Sequence, residues 1–308
     1  MPQSITALIL TFNEEQHIER CIRSLEGVVE RVCVIDSLST DRTVEIAKGL
    51  GATVLVNPWK NYATQFQFGL DNCDITTEWT MRIDADEYLE SGLRDAMQNW
   101  LASPPEHINA VYLRRKMVFL ERPITHGFFY PAMMLRLWKT GQGRIEQRWM
   151  DEHVIVENVQ SATIEGGDLV DHNLNDLGWW VSKHNGYATR EVYDMVEILE
   201  RENTHKDSGM EDMTGQAARK RWLKENLYSR LPTTLRAGFY FFYRYVIGRG
   251  FLDGKEGFFF HFLQAFWYRT LVEAKLFELE KQASAEGISA YDKLCKNGIL
   301  EPRVKQHP

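Results

Sequence analysis

The sequence is poor in cysteine and contains no long apolar run. Its four cysteines (Cys21, Cys33, Cys73 and Cys295) form no CxxC pair. We therefore expect neither a zinc site nor a disulfide framework, but the reduced thiols of a cytosolic protein. No window of about 18 uncharged apolar residues occurs, so we predict no membrane-spanning helix. The first residues lack a basic start followed by an apolar core, which argues against a secretory signal.

Positive charge is scarce overall but concentrated in one stretch. The 308 residues carry a formal net charge of −7, which argues against a general nucleic-acid binder. Residues 219–249 nevertheless contain eight Lys or Arg and a single acid, a local charge of +7 that leaves −14 on the rest of the chain. This asymmetry predicts an anionic partner surface. With 44% hydrophobic residues, the chain can bury the core of one large domain, with or without an appendage.

The first 84 residues alternate between β-rich apolar runs and amphipathic segments. We predict strands at 5–12, 31–37, 52–57 and 78–84, separated by helices at 13–25, 39–51 and 61–73. This order is typical of βαβ units and an α/β fold with a mostly parallel central sheet, which binds ligands at the carboxyl ends of its strands. Asn13, Asp36 and Asp84 fall at such ends.

The pattern is looser beyond residue 90. It predicts strands at 109–120 and 132–139 and a helix at 178–202. Residues 204–216 contain no aromatic side chain and are typical of a linker. We therefore divide the chain into an α/β domain at 1–202, a flexible linker at 203–216 and a helical C-terminal region at 217–308.

Three carboxylates follow the fourth predicted strand, in the segment MRIDADEYLE at 81–90. In an extended chain, residues i and i+2 point the same way, so Asp84 and Asp86 would share a face while Ile83 points back to the sheet. Paired carboxylates suit a hard cation such as Mg2+ or Mn2+, which keeps positions open for phosphate oxygens. The alternative is a solvated acidic turn.

The N-terminal motifs together resemble one enzyme family. LILTFNEE (8–15), VIDSLSTDRT (34–43) and EWTMRIDADEYLE (78–90) stand in the order and spacing of family-2 glycosyltransferases with the GT-A fold. The sequence is most similar to the enzymes of lipopolysaccharide core and exopolysaccharide synthesis. The resemblance implies that residues 1–202 form a GT-A catalytic domain with a Rossmann-like sheet, and that the donor is a nucleotide sugar.

The resemblance also implies roles for individual residues. Nucleotide-sugar contacts would fall on Thr11, Phe12, Glu14, Asp36, Gln65 and Asp84, and metal ligands on Asp86, Asp84 and His172. Thr11, Phe12 and Glu14 would lie along the base and ribose, while Asp36 would hydrogen-bond the nucleobase or ribose. Asp86 would ligate the cation that bridges the diphosphate. For His172 the alternative is a structural histidine bonded to a backbone carbonyl.

Sugar transfer needs a stabilised diphosphate leaving group and a base for the acceptor hydroxyl. Family-2 enzymes invert the anomeric centre, so a single base is expected. The resemblance implies that this base lies in the segment WMDEHV (149–154), at Glu152, with Asp151 as the runner-up; a pair of surface acids is the alternative. Arg136 and Lys183 are candidates for contact with the diphosphate or an acceptor phosphate, or else are exposed surface charges.

Aromatic residues concentrate near the C-terminus. Residues 238–268 hold fourteen of the 37 Phe, Trp and Tyr, interrupted by Arg244 and Arg249. Such a mixture suits the headgroup level of a membrane, and the chain is expected on the cytoplasmic face of the inner membrane as a peripheral protein. The alternative is packing on the catalytic domain or between subunits of a homo-oligomer. The glycines of 250–257 predict a turn between two helices.

We therefore predict an inverting, metal-dependent glycosyltransferase that moves a sugar, with UDP as the favoured nucleotide, to a glycan or lipid-linked glycan in surface polysaccharide or lipopolysaccharide synthesis. One rival is a metal-dependent phosphohydrolase, which would carry its nucleophilic Asp after the first strand, where this chain has Thr11, Phe12 and Asn13. The other is a non-catalytic membrane-associated scaffold on the same fold.

Overall fold

The computed structural model describes residues 4–146, 153–204 and 233–301. By their contacts, residues 1–175 and 250–257 form one unit, and residues 176–249 and 258–308 form a second. The helix predicted at 178–202 thus belongs to the second unit. Residues 205–216 of the predicted linker lie outside the described residues, and the functional division into domains at 1–202 and 217–308 stays a prediction.

The first unit is a mixed α/β structure. Its strands are β1 (Ile5–Thr11), β2 (Arg31–Asp36), β3 (Thr53–Val56), β4 (Trp79–Arg82), β5 (Glu87–Leu89), β6 (Ala110–Phe119), β7 (Arg122–Ile124), β8 (Ala132–Lys139), β9 (Gly143–Ile145), β10 (Val154–Val156), β11 (Ser161–Thr163) and β12 (Leu169–His172). Its helices include α1 (Ile18–Ser24), α2 (Thr43–Gly49), α3 (Tyr62–Asn72) and α4 (Ser91–Ala102).

The large sheet has the strand order β3-β2-β1-β4-β8-β6-β12-β5, with β7 and β11 also paired to β6. The first four strands are parallel, and Thr11 at the end of β1 is paired with Asp36 at the end of β2. β8 then runs antiparallel to both β4 and β6. The predicted α/β class with a mostly parallel sheet is confirmed. The carboxyl ends of β2, β1 and β4 therefore lie side by side.

The predicted strands and helices are observed with small shifts of their ends. β1 is buried on both faces, as its uninterrupted apolar run requires. The helix predicted at 13–25 begins only at Ile18. Asn13 adopts a positive φ of 56°, which asparagine tolerates better than most residues. Its side-chain oxygen accepts a hydrogen bond from the Thr40 N–H, so residue 13 is held in a turn.

The expectation of four reduced thiols is wrong for one pair. Cys33 on β2 and Cys73, just after α3, form a disulfide, and both are buried. The sequence gives no sign of this pair, because the two cysteines are 40 residues apart. Packing of α3 on the sheet brings their Cα atoms to 6.3 Å, within the range that a disulfide spans. Cys21 and Cys295 are free.

The second unit is helical in its described part. It contains α5 (Leu177–Thr204), α6 (Thr233–Phe242) with a π-helical turn at Tyr243–Ile247, a second π-helical turn at Phe262–Trp267, α8 (Tyr268–Ala285) and α9 (Ala290–Lys296). The predicted turn at 250–257 is a 3-10 turn (Gly250–Asp253) followed by the start of α7 (Gly254–His261). Among residues 4–146, 153–204 and 233–301, no helix combines the length and apolarity that a bilayer crossing needs.

His184 is held as a neutral imidazole between helices of the second unit. Its Nδ1 donates to the Trp180 carbonyl at 2.9 Å, and its Nε2 accepts from the Gln264 side chain at 3.0 Å. The ring stacks on Trp180 with a centroid distance of 3.5 Å. Burial lowers the pKa of His184 from the usual 6.5 to about 4.

We expect the free energy of unfolding to fall as the pH drops from 6.5 to 4. Between these pH values His184 is protonated in the unfolded chain but stays neutral in the folded chain. Lower pH therefore favours unfolding. His184→Gln should flatten this part of the pH dependence, as measured by urea unfolding with circular dichroism.

The matched control is His153→Gln, since the His153 side chain is 67% exposed. It should leave the slope of stability against pH unchanged. Equal slopes for wild type and His184→Gln would contradict the assignment.

Candidate functional site

The ends of β1 and β2 are joined by a buried polar pair. Thr11 Oγ1 donates to Asp36 Oδ1 at 2.9 Å, and both residues are almost fully buried. Asp36 Oδ2 accepts from the backbone N–H of Ser39 at 2.8 Å, and the Ser39 hydroxyl also donates to Asp36. Much of the Asp36 carboxylate is therefore occupied in shaping the loop after β2.

Phe12 and Glu14, two further predicted nucleotide contacts, have different environments. Phe12 is 58% exposed and follows directly after the end of β1. Glu14 instead lies 2.6 Å from Nδ1 of the buried His17. Nε2 of His17 accepts the Leu174 N–H at 2.8 Å. Glu14 thus helps to fix the segment that follows His172.

Gln65 is fully buried and connects the loops after β2 and β3. Its amide nitrogen donates to Ser37 Oγ and to the Asn57 carbonyl, each at 3.0 Å. Its oxygen accepts from the Asn57 side chain at 2.7 Å. Gln65 supports the rim of the sheet edge through these bonds.

The acidic segment turns rather than continuing as a strand. β4 ends at Arg82, and the Glu87 N–H bonds the Asp84 carbonyl at 2.9 Å, which closes a four-residue turn. Asp84 and Asp86 are nevertheless both partly exposed, whereas Ala85 and Glu87 are buried. The turn therefore presents two carboxylates outward and one inward.

Beneath the turn, Arg136 from β8 forms a buried ion pair. Its Nη2 lies 2.5 Å from Glu87 Oε1 and 3.3 Å from Asp84 Oδ2. Arg136 is 1% exposed and Glu87 is not exposed at all. Arg115 from β6 approaches the same Glu87 oxygen at 3.3 Å and also bonds Asp171. Arg136, predicted to meet phosphate, thus lies inside the protein.

These groups shift the protonation of one another. Burial would raise the pKa of Asp84, but the guanidinium groups of Arg136, Arg82 and Arg115 hold it well below its usual range. Burial, aided by the charge on Asp84, raises the pKa of Glu87 against the opposite effect of Arg136 and Arg115. Asp84 is therefore kept ionised, and the two arginines favour the ionised form of Glu87 against the effect of its burial.

A backbone hydrogen bond joins Asp86 to His172. The His172 N–H bonds the Asp86 carbonyl at 3.1 Å, and the Asn173 side chain donates to Asp86 Oδ2 at 2.9 Å. The His172 ring contacts Arg20 through Nδ1 at 3.3 Å and Glu121 through Nε2 at 3.1 Å. Among the described residues, no three His, Cys, Asp or Glu side chains are grouped as ligands of one metal ion.

Asp151 and Glu152, the candidates for the base, lie outside the described residues. Lys183 belongs to the second unit, where its ammonium lies 4.5 Å from the Trp179 ring centroid. The structure thus brings together Thr11, Asp36, Asp84, Asp86 and His172.

Comparison with known proteins decides the family. Residues 6–157 match the family described as glycosyl transferase family 2. The chain contains a glycosyltransferase family 2 domain. The matched residues include β1, β2, β4 and the acidic turn, and the predicted family is confirmed.

Several relatives of this chain are bacterial proteins. An uncharacterized glycosyltransferase of Rickettsia typhi is 29% identical over 203 residues, which span 63% of this chain and 69% of that protein. The lipopolysaccharide core biosynthesis glycosyltransferase LpsC of Rhizobium meliloti is 29% identical over 213 residues, or 66% and 75% of the two chains. A Rickettsia felis relative is 44% identical, but over only 35% of its own length.

A solved structure extends the likeness in fold. The mannosyltransferase PcManGT from Pyrobaculum calidifontis has a TM-score of 0.50 and 15% identity, with 90% of this chain and 88% of that chain covered. At this identity the likeness concerns the fold alone, and it agrees with the predicted GT-A architecture.

Sequence reasoning missed the residues that support the acidic turn of the glycosyltransferase domain. Glu87 belongs to the acidic segment at 81–90, but its burial depends on the turn. Arg115 and Arg136 come from later strands, and Arg20 from α1. Tyr62, whose hydroxyl donates to Asp84 at 3.1 Å, begins α3. No pattern in the sequence links these positions to the turn.

We expect Arg136→Met to lower the free energy of unfolding of the glycosyltransferase by about 3–5 kcal/mol. The buried Glu87 would then either stay charged without a cation or take up a proton. The double variant Arg136→Met, Glu87→Gln should be less destabilised than Arg136→Met alone, because no buried charge remains unpaired. Urea unfolding measures both.

Arg23→Met supplies the matched control. Arg23 and its partner Glu19 are each 55% exposed, so that variant should lose less than about 1 kcal/mol. An Arg136→Met protein as stable as Arg23→Met would show that the buried pair contributes little.

Proposed function

We propose that this chain transfers a sugar from a nucleotide sugar, with UDP as the favoured nucleotide, to a hydroxyl of a glycan or lipid-linked glycan, with inversion. The relative LpsC supports a place in lipopolysaccharide or related surface polysaccharide synthesis. The observation that carries the proposal is the turn that presents Asp84 and Asp86 beside the ends of β1 and β2 in a family-2 domain.

The turn has the chemistry of a partial cation site. Asp86 Oδ2 is bonded by Asn173, while Oδ1 makes no hydrogen bond within the described residues. The Asp84 side chain is 32% exposed. Mg2+ is commonly held by one or two carboxylates together with substrate phosphates, so two carboxylates suffice. The solved relative PcManGT was studied with GDP-Man and Mn2+.

We assign Asp86 as the principal ligand of Mg2+ or Mn2+, with Asp84 beside it. His172 is the third candidate, and to serve it must exchange its contact with Arg20 or Glu121. When bound, such a cation supplies positive charge for the leaving diphosphate. Arg136 keeps Asp84 ionised and fixed, which prepares the turn for the cation.

The remaining site residues are assigned to binding and proton transfer. The exposed Phe12 ring can stack on the nucleobase, while Thr11, Asp36 and Gln65 hold the shape of the rim on which the ribose rests. Glu14 acts through His17. Glu152 is the proposed base that accepts the proton of the acceptor hydroxyl, with Asp151 as the alternative.

We also propose that the second unit lies on an anionic membrane surface, on its cytoplasmic face. Leu235, Phe239, Phe242 and Val246 are all exposed and spaced four, three and four residues apart, which forms one apolar stripe. The basic charge of 219–249 suits anionic headgroups at about 1 kcal/mol per nearby residue. A subunit interface on the same stripe is the alternative.

The two rival functions have weaker support. The phosphohydrolase lacks an aspartate at the end of β1, where Thr11 pairs with Asp36 instead. The scaffold would not require the ion-paired turn to keep two outward carboxylates.

We expect UDP with Mn2+ to raise the melting temperature of the wild-type chain by roughly 5 °C at saturating ligand. UDP without metal should raise it much less. Asp86→Asn should abolish the metal-dependent part, because an amide is a poorer ligand for a hard cation. Thermal shift with and without Mn2+ measures this.

Asp95→Asn on α4 is the control, since Asp95 is exposed and belongs to no part of the site. It should retain the full metal-dependent shift. If Asp86→Asn also retains it, the proposed cation site is wrong.

We expect the 308-residue chain to float with vesicles that contain phosphatidylglycerol and much less with pure phosphatidylcholine. The double variant Phe239→Ser, Phe242→Ser should weaken binding by about tenfold, because it removes two apolar anchors from one stripe.

Phe277→Ser, on α8 and 67% exposed, is the matched control and should float as wild type. Equal flotation of the wild type, the double variant and Phe277→Ser would show that the proposed lipid contact through this stripe is wrong. A change of mass by light scattering in the double variant without lipid would favour the subunit interface.

A further inference from the structure

A second polar constellation lies in the first unit, outside the site described above. Asp253, from the 3-10 turn Gly250–Asp253, is 2% exposed. Its carboxylate accepts from the N–H groups of Thr125 at 3.1 Å and His126 at 2.9 Å, and from Thr125 Oγ1 at 3.1 Å. Nδ1 of His126 lies 2.6 Å from Asp253 Oδ1.

This arrangement fixes the orientation of the His126 ring. Because a carboxylate can only accept, Nδ1 carries the hydrogen and donates it to Asp253. Nε2 is then turned away from Asp253, and among the described residues it makes no hydrogen bond. The His126 side chain is 38% exposed. A buried carboxylate behind a half-exposed imidazole is a common way to hold a histidine toward a ligand.

The anchor beneath His126 is tightly packed. Gly257 approaches Asp253 so closely that an added Cβ would lie 2.6 Å from the Asp253 Cβ and 2.7 Å from the Gly250 carbonyl. Arg122 also bonds the Leu252 carbonyl at 3.4 Å. The segment 250–257 belongs to the first unit by its contacts, although the chain on both sides of it belongs to the second.

Strand register places His126 near the acidic turn. β7 and β12 both pair with β6 at Met117 and Val118, so β7 must lie on the opposite edge of β6, the edge that β8 occupies. The loop 125–131 therefore leaves the sheet where β7 and β8 meet. β8 runs antiparallel to β4, so its first residue, Ala132, lies beyond the carboxyl end of β4, toward Asp84.

The loop thus borders the sheet edge of the donor site on its β8 side, while the nucleotide residues Thr11 and Asp36 lie on the β1 and β2 side. An acceptor must reach the donor sugar from a side that the nucleotide does not fill. We propose that His126, oriented by Asp253, binds a hydroxyl of the acceptor sugar through Nε2 and so positions the acceptor. This proposal rests on the proposed transferase function.

The test uses three simple sugars as probes with the full chain: methyl β-D-glucopyranoside, methyl β-D-galactopyranoside and methyl α-D-mannopyranoside. The Cε1–H signals of the nine histidines are followed by NMR during titration without nucleotide, with His126 assigned from His126→Gln. We expect the His126 signal to move saturably with at least one glycoside. His126→Ala should raise the dissociation constant for that glycoside by about tenfold, the loss of one good hydrogen bond.

Asp253→Asn should raise the same constant, because the ring loses its charged partner while His126 remains. His107→Ala, at an exposed loop position, should bind the glycoside as wild type. In turnover assays, His126→Ala should raise KM for the glycoside and change KM for the nucleotide sugar less than about twofold. A histidine with only a structural role would not separate the two constants.

Unchanged glycoside binding in His126→Ala, or no movement of the His126 signal with any of the three glycosides, overturns the proposal. If the wild type binds a glycoside saturably but turns over no nucleotide sugar, the result counts against the transferase function and not against the sugar site. The two failures are therefore distinguishable.

Discussion

Nη2 of Arg136 and Oε1 of Glu87 lie 2.5 Å apart in the interior of the first unit, where neither side chain reaches solvent. Burying such a pair costs desolvation energy. The attraction between the two charges offsets that cost only when the geometry is good and neighbouring groups supply further hydrogen bonds. Here Glu87 also accepts the Asp84 N–H at 3.0 Å, so the pair fixes the backbone of the acidic turn. The positions of the Asp84 and Asp86 carboxylates depend on that turn.

The three carboxylates of the turn differ in burial and in binding partners. Glu87 is enclosed and binds the arginines of β6 and β8. Asp84 is shared, with Arg136 below and solvent above. Asp86 faces outward and keeps capacity for a further ligand. A run of like charges that would repel in isolation is thereby distributed over an interior cation cluster and an open edge.

Beyond residue 175, the chain contributes to the first unit through one short segment, Gly250–Gly257. Asp253 fixes Thr125 and His126, more than 120 residues earlier in the sequence. A chain cut at the predicted linker would lose this anchor together with the aromatic helices. Point substitutions in the full chain are therefore the appropriate way to separate lipid contact, acceptor contact and folding.

The sequence by itself determined the α/β class, the order of the first four strands and the positions of Thr11, Asp36, Asp84 and Asp86 at strand ends, because local periodicity and short motifs encode these features. Only the tertiary structure decided that Asp84–Glu87 is a turn, that Arg136 is buried beneath it, that Cys33 meets Cys73, and that Asp253 holds His126. Each of these depends on which distant strands and segments pack together, and long-range pairing leaves no periodic signal along one chain.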